Sequence, residues 1–216
     1  MGKYNTIIWD MDGTLLDTLD DLADSVNAAL AEFGQPLRTR TEIRSFIGNG
    51  VMRLVELSTP GGKENPQFEE IFSFFQHHYA KNCQNKTKPY AGLDRVLEEL
   101  KRRGCRMAIV SNKTDSAVQS LTNLFFKDTM DLAIGNSERL RRKPYPDEVL
   151  EALRIFGAEK ASAVYIGDTE VDMETAKNSC VDCICVSWGY RDRQMLLDKG
   201  AKAVADTPEE LAELLK

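Results

Sequence analysis

The sequence predicts an α/β fold with three layers, a doubly wound parallel sheet covered by helices on both faces, and an all-helical domain inserted into it. From Pro89 onward, apolar runs of strand length alternate with helical patterns, which is typical of a parallel sheet. Between the first apolar run, at residues 6–9, and Pro89, the pattern is helical and contains no convincing strand. We therefore expect one sheet domain with a helical insertion near its amino terminus.

The amino-terminal part begins with a buried strand at residues 6–9, which ends in the acidic turn Asp10-Met-Asp-Gly-Thr. Apolar residues then recur at spacings of three and four up to Phe33, and Gly34 stands where a helix would stop. Further helical patterns cover residues 40–57 and 68–83. We expect residues 17–86 to form the helical domain, and residues 1–16 with 87–216 to form the sheet domain.

The carboxy-terminal part alternates between helices and strands, as the crossovers of a parallel sheet require. The predicted helices cover residues 93–103, 116–126 and 147–156, with another before residue 183 and a last one from Pro208. The predicted strands cover residues 106–111, 131–134, 162–168, 183–186 and, more weakly, 201–205.

Composition and charge limit the classes of function. The chain has 216 residues, enough for a domain with a substantial insertion. Its formal net charge of −6 argues against binding to nucleic acid or to an anionic membrane surface. No apolar run reaches the length of a membrane span, and no signal peptide is visible before the first strand. We expect a cytoplasmic protein, and the sequence indicates no protein partner.

The five cysteines include the cluster Cys180-Val-Asp-Cys183-Ile-Cys185. The spacing of Cys180 and Cys183 is one that metal ligands use, but no second cluster of cysteine or histidine completes a tetrahedral site. Free cysteine is among the most buried residue types. We interpret these residues as core thiols in a reducing compartment.

Polar side chains stand at the ends of three of the predicted strands. The strand at residues 6–9 is followed by Asp10 and Asp12, the strand at residues 106–111 ends in Ser111-Asn112, and the strand at residues 162–168 ends in Asp168, with Asp172 shortly after it. Because the carboxyl ends of parallel strands share one edge of the sheet, we expect these groups to converge on one crevice.

This set of residues suits phosphoryl transfer through a covalent aspartyl intermediate. Asp10 would attack phosphorus, and a Mg²⁺ ion held by Asp10 and Asp168 would compensate the repulsion between carboxylate and phosphate. Lys143 would supply a fixed cation. The phosphoryl oxygens would be held by Lys143 and by hydroxyl, amide and backbone N–H groups at Ser111, Asn112, Gly13 and Thr14. Asp12 would protonate the leaving oxygen and then take a proton from the attacking water.

These residues resemble the four motifs of the haloacid dehalogenase superfamily of phosphotransferases. Asp10-Met-Asp-Gly-Thr-Leu-Leu-Asp17 resembles the first motif, Ser111 the second, Lys143 the third and Gly167-Asp168-x-x-x-Asp172 the fourth. The helical insertion resembles the helical cap of that family. Ser187-Trp-Gly-Tyr190, Asn112-Lys113 and Pro89-Tyr-Ala-Gly92 resemble its phosphoglycolate phosphatase branch.

The resemblance implies a Rossmann-type core and a Mg²⁺-dependent phosphatase that acts on a small phosphorylated metabolite. It implies that Asp10 is the nucleophile, and that Asp12 is the acid/base and also binds Mg²⁺ through its backbone carbonyl. It further implies that Asp168 is a carboxylate ligand, with Asp172 reaching the metal through water or orienting Lys143. The family usually has Ala-Gly where this chain has Ser179-Cys180. A left-handed Cys180 would carry a steric cost of about 1–2 kcal/mol.

Other functions use similar sites. A sugar-phosphate mutase of the β-phosphoglucomutase type would return the phosphate to a sugar, and an inorganic pyrophosphatase would share the same architecture. A phosphorelay receiver also groups acidic residues with a lysine, but it needs neither a leaving-group acid nor a cap. Within the helical insertion, Arg53 is the cation that we most expect to meet a substrate, although a surface salt bridge is at least as good an interpretation.

Overall fold

The computed structural model describes residues 3–216 and divides the chain into two compact units. One unit comprises Met1–Leu16 and Pro89–Lys216, and the other comprises Asp17–Lys88. Two short strands, β2 (Leu16–Asp17) and β3 (Lys88–Pro89), pair with each other where the chain passes between the units. The sequence pattern did not predict this pair, because two-residue strands carry no periodic signal.

The α/β unit is built on a six-stranded sheet of order β5-β4-β1-β6-β7-β8, and every neighbouring pair is parallel. The strands are β1 (Thr6–Trp9), β4 (Arg106–Thr114), β5 (Leu132–Asn136), β6 (Ala163–Gly167), β7 (Asp182–Val186) and β8 (Val204–Ala205). The last strand is shorter than predicted. β4 is longer, and its pairing with β5 shifts register between Ser111 and Thr114.

Alternate residues of the strands pack against helices on opposite faces of the sheet. Ile7 and Trp9 of β1 belong to one buried cluster, whereas Ile8 belongs to the other. The first cluster contains residues of α5 (Leu93–Arg102), α6 (Asp115–Phe125) and α10 (Pro208–Leu214). The second contains residues of α7 (Asp147–Phe156) and α8 (Glu170–Ser179), and α9 (Arg193–Asp198) packs through Leu196 on Cys185 of β7. The structure thus confirms the predicted three-layer α/β fold.

The helical unit consists of α1 (Leu19–Glu32), α2 (Arg40–Phe46), α3 (Gly50–Ser58) and α4 (Phe68–Asn82). The helical pattern over residues 40–57 contains the break Gly48-Asn49-Gly50, and the structure separates α2 from α3 there, with an extended backbone at Ile47. A capping box between Thr39 and Glu42 fixes the start of α2. Asp21 of α1 accepts hydrogen bonds from the backbone N–H groups of Lys86 and Thr87, which ties the end of the unit to its first helix.

Two further features concern the expectations from composition. None of the helices in residues 3–216 combines the length and the apolarity that crossing a bilayer requires. The cysteines of this range are all free; Cys83, Cys105 and Cys185 are buried, but Cys180 is exposed at the end of α8. Cys180 has φ 58° and ψ 42°, so it does adopt the left-handed conformation.

Candidate active site

The strand order places the predicted site residues at one edge of the sheet. β1 lies between β4 and β6, with Trp9 in register with Ile109 and Ile166. The backbone N–H of Asp10 donates to the carbonyl of Ile166 at 2.8 Å. The acidic turn after β1 therefore emerges between the ends of the strands that carry Ser111 and Asp168.

Three buried carboxylates form a cluster at this edge. One oxygen each of Asp10, Asp168 and Asp172 lies within 4.8 Å of the others. Asp168 and Asp172 are completely buried, and Asp10 is nearly so. Buried carboxylate oxygens at this separation are donors of the kind that a hard divalent cation such as Mg²⁺ takes.

Lys143 lies against this cluster, from the loop that precedes α7. Its Nζ is 2.7 Å from Asp10 Oδ1, 2.8 Å from Asp172 Oδ1 and 3.0 Å from the hydroxyl of Tyr165. Burial alone would lower the pKa of Lys143, but Asp10 and Asp172 hold it well above its ordinary value. The side chain is thus a permanently charged ammonium beside the proposed nucleophile.

Burial and neighbouring negative charge raise the pKa values of two of the clustered carboxyl groups, those of Asp10 and Asp168. Burial, followed by the charge of Asp172, raises the pKa of Asp10 to about 7, although Lys143 opposes the shift. Burial and the charges of Asp172 and Asp10 also raise the pKa of Asp168 well above its usual range. A bound cation would relieve both effects, because it stabilises the ionised form of each group.

Asp168 is held by a separate donor on each oxygen. The Thr14 hydroxyl donates to Oδ1 at 3.1 Å, and the Tyr190 backbone N–H donates to Oδ2 at 2.6 Å. The indole N–H of Trp188 donates to the Thr14 carbonyl at 3.1 Å, so the segment after β7 also holds the turn after β1. Gly189 permits this approach, since a Cβ there would lie 2.2 Å from the Gly13 carbonyl oxygen.

Asp172 has donors on both of its oxygens. Oδ1 receives Lys143 and lies 3.2 Å from the Tyr165 hydroxyl. Oδ2 accepts from the N–H groups of Asp168 and Thr169 and from the Thr169 hydroxyl, at 3.2, 3.0 and 2.7 Å. Asp172 thus fixes both the start of α8 and the position of Lys143.

Asp12 stands apart from the cluster and has a cation of its own. Lys113 Nζ lies 3.0 Å from Asp12 Oδ1, and the lysine side chain is 3% exposed. The sequence assigned no catalytic or binding role to Lys113, although Asn112-Lys113 is one of the segments that resemble the phosphoglycolate phosphatase branch. Tyr165 was also missed, because a tyrosine within a buried strand reads as core.

The predicted phosphate-binding groups lie around these acids, and their role stays a prediction. Ser111 is buried and its Oγ accepts from the Lys113 N–H at 3.3 Å. Asn112 Nδ2 donates to the Lys143 carbonyl at 3.2 Å, whereas Asn112 Oδ1 is buried and accepts no hydrogen bond from residues 3–216. The Gly13 N–H donates to the Leu16 carbonyl and the Thr14 hydroxyl donates to Asp168, so both donors already have acceptors within the protein.

Arg53 belongs to the helical unit, on α3. Its Nη1 forms an ion pair with Glu56 Oε1 at 3.0 Å, and 47% of its side chain is exposed. This is the surface salt bridge that the sequence also allowed, and a substrate contact of Arg53 stays a prediction.

Comparison with known proteins agrees with this geometry. The model of the haloacid dehalogenase-like hydrolase family matches residues 7–186. The chain is 30% identical over 214 residues to a phosphoglycolate phosphatase of Nitrosococcus oceani, covering 97% of this chain and 95% of the relative. It is 34% identical over 189 residues to a phosphoglycolate phosphatase of Rhodobacter capsulatus, covering 86% and 85%.

A solved structure from Lactobacillus delbrueckii subsp. bulgaricus is also similar. It superposes with a TM-score of 0.94 at 35% identity and covers 99% of this chain and 98% of its own. With the four motifs converging at one sheet edge, these matches establish the family: the chain belongs to the haloacid dehalogenase-like hydrolases.

Proposed function

We propose that this protein is a Mg²⁺-dependent phosphatase that hydrolyses a small phosphate monoester through a phospho-aspartyl intermediate, with phosphoglycolate as the first substrate to test. The observation that carries the proposal is the position of Asp10. Its carboxylate is buried beside Lys143, at 2.7 Å, and within 4.8 Å of the carboxylates of Asp168 and Asp172. The names of the relatives support the substrate class.

The donor set fits a divalent cation. The cluster offers carboxylate oxygens only, and four acids (Asp10, Asp12, Asp168, Asp172) stand against two ammonium groups, those of Lys113 and Lys143. Asp10 and Asp168 would hold Mg²⁺, together with the backbone carbonyl of Asp12, while Asp172 fixes Lys143. When bound, Mg²⁺ supplies charge compensation between the nucleophile and the phosphoryl group.

The first half of the reaction transfers the phosphoryl group to the protein. A carboxylate oxygen of Asp10 forms a bond to phosphorus, the bond between phosphorus and the leaving oxygen breaks, and Asp12 gives its proton to that oxygen. Lys143 keeps Asp10 oriented and offsets the negative charge of the phosphoryl group. Ser111 and Asn112 would hold the remaining phosphoryl oxygens, whereas the Gly13 N–H and the Thr14 hydroxyl would first have to leave their present acceptors, the Leu16 carbonyl and Asp168.

The second half returns the site to its starting state. The Asp12 carboxylate takes a proton from water, the water oxygen bonds to phosphorus, and the bond from phosphorus to Asp10 breaks. Inorganic phosphate leaves, and Asp12 is again protonated for the next cycle.

Two accompanying proposals concern the rest of the chain. Residues 17–86 would act as a cap that selects the substrate, with Arg53 as a candidate contact. A cytoplasmic location suits the free buried thiols of Cys83, Cys105 and Cys185.

The test combines product analysis with the variant Asp12→Asn. The wild-type protein should release inorganic phosphate from phosphoglycolate with Mg²⁺ present. Transfer of the phosphoryl group to an added sugar phosphate, rather than to water, would indicate a mutase. An amide can neither protonate a leaving group nor deprotonate water, but p-nitrophenolate leaves without help. Asp12→Asn should therefore give a burst of at most about one equivalent of p-nitrophenol and then slow turnover. Steady wild-type turnover without a burst would remove Asp12 from the mechanism.

A further inference from the structure

Lys113 is one of two lysines in residues 3–216 that are buried, and the other is Lys143. Burying an ammonium group is costly unless a counter-charge accompanies it. Lys143 has Asp10 and Asp172 as counter-charges, and Lys113 has Asp12, with Nζ 3.0 Å from Oδ1. Each of the two aspartates after β1 is thus paired with its own buried lysine.

The local backbone of β4 directs Lys113 to this place. β4 runs on to Thr114 instead of ending at Ser111, and its register with β5 shifts between these residues. The Lys113 N–H donates to Ser111 Oγ at 3.3 Å, which holds the backbone at the irregularity. Lys113 lies within this irregularity, and the residues on either side of the irregularity, Ser111 and Thr114, are both paired with β5.

The contact between Lys113 and Asp12 is an ion pair without the geometry of a hydrogen bond. Asp12 Oδ1 is buried and has no well-directed hydrogen-bond donor within residues 3–216, although the ammonium lies 3.0 Å away. The lysine thus supplies charge at the buried oxygen of Asp12, which leaves the other oxygen, Oδ2, to exchange a proton. This is the arrangement that an acid/base carboxylate requires, since it must exchange a proton with substrate and water.

We propose that Lys113 is a positioning residue that acts through Asp12: it fixes the Asp12 carboxylate and compensates the charge that appears there when its proton has passed to the leaving oxygen. The inference rests on the proposed function. In the first half, Asp12 loses its proton to the leaving oxygen and becomes a carboxylate beside the Lys113 ammonium. In the second half, that carboxylate takes a proton from water, and Lys113 takes no part in either proton transfer.

The two lysines therefore have different roles. Lys143 orients Asp10 and offsets charge while Asp10 bonds to phosphorus, and Lys113 assists the proton transfers of Asp12. Loss of Lys113 should consequently affect substrates in proportion to their need for proton transfer to the leaving group. An alkyl phosphate needs it strongly, whereas p-nitrophenyl phosphate needs it little.

The test is a double-mutant cycle of Lys113→Met and Asp12→Asn with phosphoglycolate and p-nitrophenyl phosphate. Lys113→Met should lower kcat/KM for phosphoglycolate by about tenfold or more, a part of the effect of acid–base catalysis. It should lower the rate at which p-nitrophenol is released in the first turnover of p-nitrophenyl phosphate by less than about threefold. In the Asp12→Asn background, Lys113→Met should change either rate by less than about twofold, because neighbours that act as a unit are not additive.

The outcomes separate this inference from the proposed function. If Asp12→Asn alone has no effect, the proposed function fails. If Asp12→Asn impairs the enzyme but Lys113→Met reduces the rate equally in both backgrounds, Lys113 acts on the substrate directly and the inference is wrong. An equal loss with both substrates would also overturn it.

Two further variants guard against a trivial result. Lys113→Arg keeps the positive charge, so it should recover part of the lost discrimination between the two substrates, and it replaces Lys113→Met if the latter does not fold. Lys3→Met removes a lysine whose ion pair with Asp182 (2.7 Å) is exposed, and it should leave both rates unchanged.

Discussion

Replacing Gly189 with alanine should weaken Mg²⁺ binding without unfolding the protein. An added Cβ would lie 2.2 Å from the Gly13 carbonyl oxygen and 2.3 Å from Asp168 Oδ2. Ordinary contacts are about 3.5 Å, so the segment after β7 must retreat by about 1 Å. The hydrogen bond from the Tyr190 N–H to Asp168 Oδ2, now 2.6 Å, would lengthen to about 3.6 Å and be lost.

The size of the effect follows from the charge of the acceptor. A hydrogen bond to a charged group contributes about 1.5–3 kcal/mol. Because each 1.4 kcal/mol corresponds to about tenfold in affinity, Mg²⁺ should bind roughly 10- to 100-fold more weakly. Losses of this size are typical when a partner that orients a metal ligand is removed.

Calorimetric titration of the purified variant with Mg²⁺ measures this change, and the Mg²⁺ concentration at half-maximal activity should move in parallel. Gly200→Ala is a matched control: its φ is 94°, and nothing lies within 4 Å of the added Cβ. It should cost about 1 kcal/mol of stability through backbone strain and leave Mg²⁺ binding unchanged. If Gly189→Ala bound Mg²⁺ as tightly as the wild type, the proposed orientation of Asp168 would be wrong.

Three other changes test the site and the fold. Asp10→Asn should remove several orders of magnitude of kcat while leaving the circular dichroism spectrum unchanged, since the nucleophile is lost; appreciable residual turnover would contradict its role. Chelation by EDTA should abolish activity. It should also lower Tm more at pH 8 than at pH 5. The pKa of Asp10 is raised to about 7, so the metal-free fold loses stability as the pH rises through that value and the carboxyl group ionises. An equal loss of Tm at both pH values would refute this. Cys180→Gly should raise the free energy of unfolding in urea by about 1 kcal/mol, because φ 58° strains every residue except glycine; a destabilised variant would show that the Cys180 side chain contributes more than its backbone costs.

The sequence was sufficient for the residues whose positions depend on strand ends alone. Asp10 and Asp168 directly follow buried strands, and parallel strands share a carboxyl edge, so their meeting could be inferred without coordinates. The helical unit was predictable for a similar reason, since its apolar residues repeat at helical spacing. The interruption between α2 and α3 also has a local signal, because it coincides with the glycine-rich segment Gly48-Asn49-Gly50.

Other parts of the site depend on contacts that no local pattern encodes. The segment at Gly189 follows β7 but contacts the turn after β1. This contact depends on the strand order, in which only β6 lies between β1 and β7. Tyr165 reads as an ordinary core residue until Lys143 is placed beside its hydroxyl.

Lys113 shows how a buried charge can be recognised once the fold is known. In sequence it is one of 28 basic side chains, most of which are expected at the surface. Its burial becomes understandable only beside Asp12, and the same argument applies to Lys143 beside Asp10. Four buried or half-buried acids opposite two lysines still leave an excess of negative charge, and this excess adds to burial in raising the pKa values of Asp10 and Asp168. We expect a divalent cation bound among these carboxylates to offset that excess, and its binding should then stabilise the fold.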